Sequence, residues 1–123
     1  MMGCTSAEFQ RHIQLKMDKW NTLYAEDMCH DNVHIDHIKP LGAGGDVREL
    51  CHYTNLQPLL PHHNSQKRAT WSELDEQTWW STILYACDNT DIYWPSSLGV
   101  MHNDFVIWKS LHMLSSVAAS VCS

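Results

Sequence analysis

Apolar residues near the start of the chain recur as Phe9, Ile13, Met17, Trp20 and Tyr24, three or four positions apart, the spacing of one helix face. Thr5 and Glu8 just ahead of them form a capping-box pair, so the pattern predicts a first amphipathic helix over about 6–24. The stripe reads as core. After the polar stretch "AEDMCHDN", the segment from Val33 to Leu41 reads as a strand. Pro40 and "GAGGD" end it, with glycines supplying backbone angles that other residues adopt at a cost. The stretch "ELCHYTNLQPLLP" then reads as a looser extended segment in which Leu56, Leu59 and Leu60 can pack, while Pro58 keeps it out of a central sheet position. Pro61 sits where a helix can begin, because the first turn does not use its missing amide, and "HHNSQKRA" follows without a breaker.

Further on, Thr70 and Glu73 match a second capping box ahead of Trp80, Ile83, Leu84 and Cys87 at helical intervals. They predict a long helix over about 71–86, with Trp79 and Trp80 as core. "DNTDIYWPSSLG" reads as a loop, and Asn103 or Asp104 can cap a last helix carrying Phe105, Trp108, Leu111, Leu114 and Val117. The expected class is α+β, a short two-stranded hairpin embedded among flanking helices. With 123 residues the chain suits one domain: an N-terminal helix at about 6–24, a core at about 28–70 and a helical part at about 71–120.

No apolar run reaches the roughly 18 residues that span a bilayer, and no basic stretch followed by an apolar signal region opens the sequence. A soluble, intracellular protein without membrane contact is the expectation. Five cysteines, odd in number and without a C-x-x-C pair, read as free thiols, and structural zinc is not expected. A mixed zinc site drawing on Cys29, His30 and Cys51 or His52 is the weaker alternative.

The net charge of −6 runs against nucleic-acid binding, which draws on phosphate neutralisation. Its distribution changes the picture. Between Val33 and Arg68 four basic residues face three acidic ones, so the flanks carry the negative excess.

Inside that less acidic stretch lie "DHIKPL" from Asp36, "GAGG", "NLQPL" from Asn55 and "HNSQK" ending at Lys67. In this order and separation they resemble the HNH endonuclease superfamily. The phrases "HIDHIKP" and "CHYTNLQPL" are most similar to HNH proteins encoded by large DNA viruses and phages. The likeness covers about 28–67 and stops before the C-terminal third. It implies a ββα-metal finger that hydrolyses phosphodiester bonds of DNA, double-stranded DNA being the expected partner, with one Mg²⁺ or Mn²⁺ per site and 5′-phosphate and 3′-hydroxyl ends as products. By resemblance, Asp36 and Asn64 bind the metal, His37 is the general base, and Asn55 fixes the loop and orients His37. A slip of one position would make His63 the ligand in place of Asn64.

His34 falls on the strand face of Asp36 and is a candidate for contact with metal or scissile phosphate, or else a structural histidine. Lys67 and Arg68 are candidate phosphate contacts, or alternatively a solvated helix end. If the virus resemblance holds, the setting is host cytoplasm or nucleus. Double-strand cleavage would need two sites, hence a homodimer or larger assembly. The competing expectation is an inert HNH fold that binds nucleic acid or serves as a structural, virion component.

Overall fold

Thr5 begins the first helix as the periodicity requires. Its hydroxyl accepts from the Glu8 amide at 3.1 Å while the Glu8 carboxylate accepts from the Thr5 amide at 3.3 Å, closing the capping box. The computed structural model describes residues 2–96 and Leu98. Helix α1 runs Ser6–Tyr24 and ends at Ala25, whose left-handed backbone (φ 50°) stops it. The chain then forms β1 (His34–His37), a short helix α2 (Val47–Leu50), β2 (Leu56–Leu59), α3 (Pro61–Lys67) and α4 (Glu73–Thr78), which continues into a wider turn over Trp79–Ile83.

β1 and β2 pair antiparallel, with His34 opposite Leu59, Ile35 opposite Pro58, Asp36 opposite Gln57 and His37 opposite Leu56. The class is therefore α+β. Pro58 is tolerated because a two-stranded sheet has no central strand.

Apolar packing holds the hairpin on two sides. Ile13, Met17, Trp20 and Tyr24 of α1 form one buried cluster with Met28, and Phe9, Val33 and Leu60 pack against it. His12 adds a polar tie, its Nε2 lying 2.9 Å from the Leu56 carbonyl oxygen. The second cluster joins Ile38 to Trp79, Ile83 and Leu84, with Trp71 and Tyr93 alongside. Burial of these side chains is the main driving force, on the order of 1.5–3 kcal/mol for each large one.

Asp75 fastens the later segment to this core. One of its oxygens accepts from the Ser72 amide and hydroxyl, and the other from the Tyr93 hydroxyl and the Ser96 amide. Burial pushes the Asp75 pKa upward, but these bonds outweigh it and hold the carboxyl below its ordinary value.

Several expectations are revised. The strand is shorter than Val33 to Leu41, because after His37 the chain turns to follow Asn55. The extended reading of "ELCHYTNL" gives way to α2, capped by Asp46 accepting from the Arg48 amide at 2.8 Å, and to a tight turn over Tyr53–Asn55. The second capping box is Ser72 with Asp75, not Thr70 with Glu73, and the helix ends near Ile83. Trp79 is core, whereas Trp80 is 52% exposed and donates to Glu76. The helix expected after Asn103 lies outside the described residues. Among them, no helix is long and apolar enough to cross a membrane.

Candidate functional site

Alternation along β1 sends His34 and Asp36 to one face, and the first turns of α3 come against that face. Two α3 side chains, three residues apart, reach the strand. The Asn64 amide nitrogen lies 3.2 Å from His34 Nδ1, and Lys67 Nζ lies 3.3 Å and 3.2 Å from the two carboxylate oxygens of Asp36. Spacing of i and i+3 puts both on the same side of the helix.

Asp36 is only 8% exposed, and Gln57 opposite it donates an amide hydrogen to it at 3.0 Å. Gln57 is itself enclosed, donating also to the Tyr93 carbonyl and accepting from the Tyr93 amide. Burial raises the Asp36 pKa, with Lys67 and Gln57 opposing that rise. The same burial lowers the Lys67 pKa against the pull of Asp36.

Asn55 holds the connection that follows β1. It is fully buried, and its side-chain oxygen accepts from the Lys39 amide and from Trp79 Nε1, both at 2.8 Å. Its amide nitrogen donates to the Leu50 carbonyl at 2.8 Å and, at 3.3 Å, to that of Lys39. The Asn55 backbone carbonyl accepts from the Ile38 amide at 2.7 Å. One side chain thus clamps both ends of the glycine-containing segment and the residues that follow His37. The loop between is free of such ties, and Gly44 and Gly45 take φ of +79° and +119°, open to glycine at little cost.

His37 is half-buried. Its ring makes no hydrogen bond with any described residue, although its carbonyl accepts from Lys67 Nζ at 3.0 Å. Its imidazole nitrogens are therefore uncommitted among the described residues. Asn64 is half-buried and His34 exposed.

The remaining candidates separate. His63 turns from Asn64's side, its ring 5.6 Å from the Trp20 ring, 6.1 Å from Trp94 and 4.0 Å from His62. Burial first, then the neighbouring His62, bring its pKa down to about 4. His63 thus lies in an indole-lined position, and the α3 side chain in contact with His34 is Asn64. Lys67 requires a correction too. It is 0% exposed, so as it stands its ammonium cannot touch a phosphate; helix-end lysines ordinarily point to water, but this one bends back under the hairpin. Arg68 is exposed, with its Nε donating to the Ser65 carbonyl at 3.1 Å.

Gln57 was not singled out from the sequence, and Trp79 was read there only as core. A glutamine inside the apolar run "LQPLL" was the available signal, since a buried amide demands partners.

Among the described residues no cluster of three or more His, Cys, Asp and Glu is arranged to hold a metal ion. The donors that share this face are mixed: the imidazole of His34 in contact with the carboxamide of Asn64, and the carboxylate of Asp36 two positions along the strand. A carboxylate with an amide oxygen suits a hard cation such as Mg²⁺ or Mn²⁺. Of the residues named for the alternative zinc site, His30 lies against Gln14 and His52 against Thr54, while Cys29 and Cys51 are free thiols.

Comparison of the chain with protein-family models, curated proteins and solved structures finds no match. The resemblance to HNH endonucleases therefore rests on its four sequence phrases alone.

Proposed function

We propose that the chain is a metal-dependent HNH endonuclease, hydrolysing DNA phosphodiester bonds at a ββα-metal finger formed by β1, β2 and α3. The observation that carries this reading is the meeting of Asn64 with His34 on the strand face shared by Asp36, with the uncommitted ring of His37 next along the strand. His34 and Asp36 on β1 and Asn64 on α3 thus come from two distant stretches to one face of the hairpin, and His37 follows one position on.

Asp36 and Asn64 would hold one Mg²⁺ or Mn²⁺, and His34 is close enough to Asn64 to assist. When bound, the cation supplies Lewis-acid stabilisation of the charge that builds on the phosphate and the leaving oxygen. His37 removes a proton from the attacking water; an imidazole with no donor or acceptor among the described residues can take that proton without first breaking a bond there. Asn55 is a positioning residue: by fixing the Lys39 amide and carbonyl it sets where the chain goes after His37. Arg68 offers a guanidinium at the end of α3 for a neighbouring phosphate.

A second reading has an observation in its favour. Lys67 neutralises the charge of Asp36, and the chain as a whole is acidic, both of which suit an inert HNH fold acting as a binding or structural component. Nicking of supercoiled plasmid by the purified chain separates the two. The nuclease reading expects nicking with Mg²⁺ or Mn²⁺ that stops with EDTA and with His37→Ala, the variant keeping its far-UV circular dichroism. Unabated cutting by His37→Ala, or no cutting with either cation, removes it.

A further inference from the structure

The Lys67 ammonium is enclosed by four oxygen atoms. Both carboxylate oxygens of Asp36 lie within 3.3 Å, the His37 carbonyl at 3.0 Å and the Ile38 carbonyl at 3.2 Å. Its three N–H bonds are thus all used, and the side chain is 0% exposed. This is a tethered cation seated in an oxygen cage, and the carboxylate it holds is the only anionic side chain among the candidate ligands.

From this arrangement we infer that Lys67 competes with the divalent cation for Asp36, so that the site holds Mg²⁺ or Mn²⁺ weakly, and that removing the ammonium charge strengthens the hold. The inference rests on the assignment of Asp36 as a ligand, but it concerns affinity and not cleavage. Two charges cannot be treated separately at this range. An ammonium in contact with a carboxylate cancels its charge at any distance beyond a few ångströms, and a dication approaching from the exposed edge meets a neutral pair where a bare carboxylate would attract it. The exposed 8% of Asp36 and the lone pairs left over by Gln57 and Lys67 leave an edge for entry. Lys67 acts as a positioning residue as well, because the same ammonium ties the carbonyl of His37 to α3.

A pair buried this deeply has a second consequence. Taking away the lysine alone strands a buried carboxylate, which is costly, and a divalent cation then becomes the counter-charge that restores the fold. Metal binding and stability become linked in the variant and stay nearly unlinked in the wild type.

The test uses Mn²⁺ with the full chain, followed by isothermal titration calorimetry and by thermal melts with and without the metal. Lys67→Gln keeps an amide that can still donate to the carbonyl of His37; Lys67→Met removes every donor. The expected result is Mn²⁺ binding at least about tenfold tighter in Lys67→Gln than in wild type, the low end of what one nearby charge does to an ionic equilibrium. The melting temperature of the variant should rise with Mn²⁺ far more than that of wild type. A variant that melts cooperatively only with Mn²⁺ present gives the same answer. The gain should vanish in Asp36→Asn/Lys67→Gln, which separates this site from surface histidines. Equal Mn²⁺ affinity in wild type and both variants overturns the inference, as does a gain that survives the double substitution, or failure of both variants to melt cooperatively at any Mn²⁺ concentration. Tighter binding without plasmid nicking would sink the nuclease reading and leave this inference standing; nicking by wild type with unchanged affinity in the variants would do the reverse.

Discussion

Replacing Asn55 with alanine removes one acceptor and one donor that serve four backbone and side-chain groups in the interior. The Lys39 amide, the Trp79 indole N–H and the Leu50 carbonyl each lose a partner at 2.8 Å, and the Lys39 carbonyl loses a longer one. Each buried group left unsatisfied costs about 1–3 kcal/mol. Lys39 and Leu50 are buried but adjoin the exposed loop, so their groups recover water only where that loop moves aside, whereas the Trp79 indole is sealed in the second cluster. A total of about 4 kcal/mol follows, close to half the stability of an ordinary domain of about 5–15 kcal/mol. For a chain of this size that corresponds to a fall of about 15 °C in melting temperature. Urea denaturation followed by far-UV circular dichroism measures it. Trp79→Phe removes only one of the donors and should cost about 1 kcal/mol, and the double variant should cost less than the two singles together, because they share a bond. An Asn55→Ala protein within about 1 kcal/mol of wild type would refute the argument that this residue clamps the loop.

Other outcomes follow from the same geometry. His63 and His12 both have pKa values lowered by burial, His63 to about 4 against an ordinary 6.5. Between those values the unfolded chain binds protons that the folded chain refuses, so stability falls as pH drops from about 6.5 toward 4. Urea midpoints at pH 7 and pH 5 should differ less in His63→Leu than in wild type, and identical differences would contradict the assignment. Gly45→Ala should destabilise by about 1–2 kcal/mol, since φ is +119° and the new Cβ would lie 3.2 Å from Lys39 Nζ. Gly42→Ala, with nothing within 4 Å, should be neutral or slightly stabilising, and thermal melts of the pair compare them directly.

The N-terminal helix was legible in the sequence because two independent signals agree there: a capping box and an apolar stripe at helical spacing, both of which reappear in contacts of α1. The hairpin was legible as two apolar runs around glycines, but its ends were not, since Ile38 and Lys39 leave the ladder to bond with Asn55 and that partner lies 16 residues away. Helix α2 is four residues long and leaves no periodicity to read. The second capping box was misplaced by two residues because both Thr70/Glu73 and Ser72/Asp75 satisfy the pattern, and only tertiary partners, here Tyr93 and Ser96 on Asp75, choose between them. Trp80 was misread because a helix that widens after Thr78 no longer keeps the register its apolar spacing implies.

At the candidate site, residue types and order were visible, and α3 brings Asn64 to His34 on the β1 face that also carries Asp36. The fate of Lys67 was hidden. Nothing local says that a lysine at a helix end will fold inward to a carboxylate 31 positions earlier; that depends on how closely α3 packs under β1.

The claim on which the functional account turns is that Asp36 and Asn64 share one cation. Crystals of the chain grown with excess Mn²⁺ and measured at the manganese absorption edge test it most directly. The account predicts an anomalous peak bonded to an Asp36 carboxylate oxygen and to the Asn64 amide oxygen, beside the His37 ring, and lost in Asn64→Ala. Manganese found only at other histidines or carboxylates, with Asp36 still paired to Lys67 alone, would contradict it.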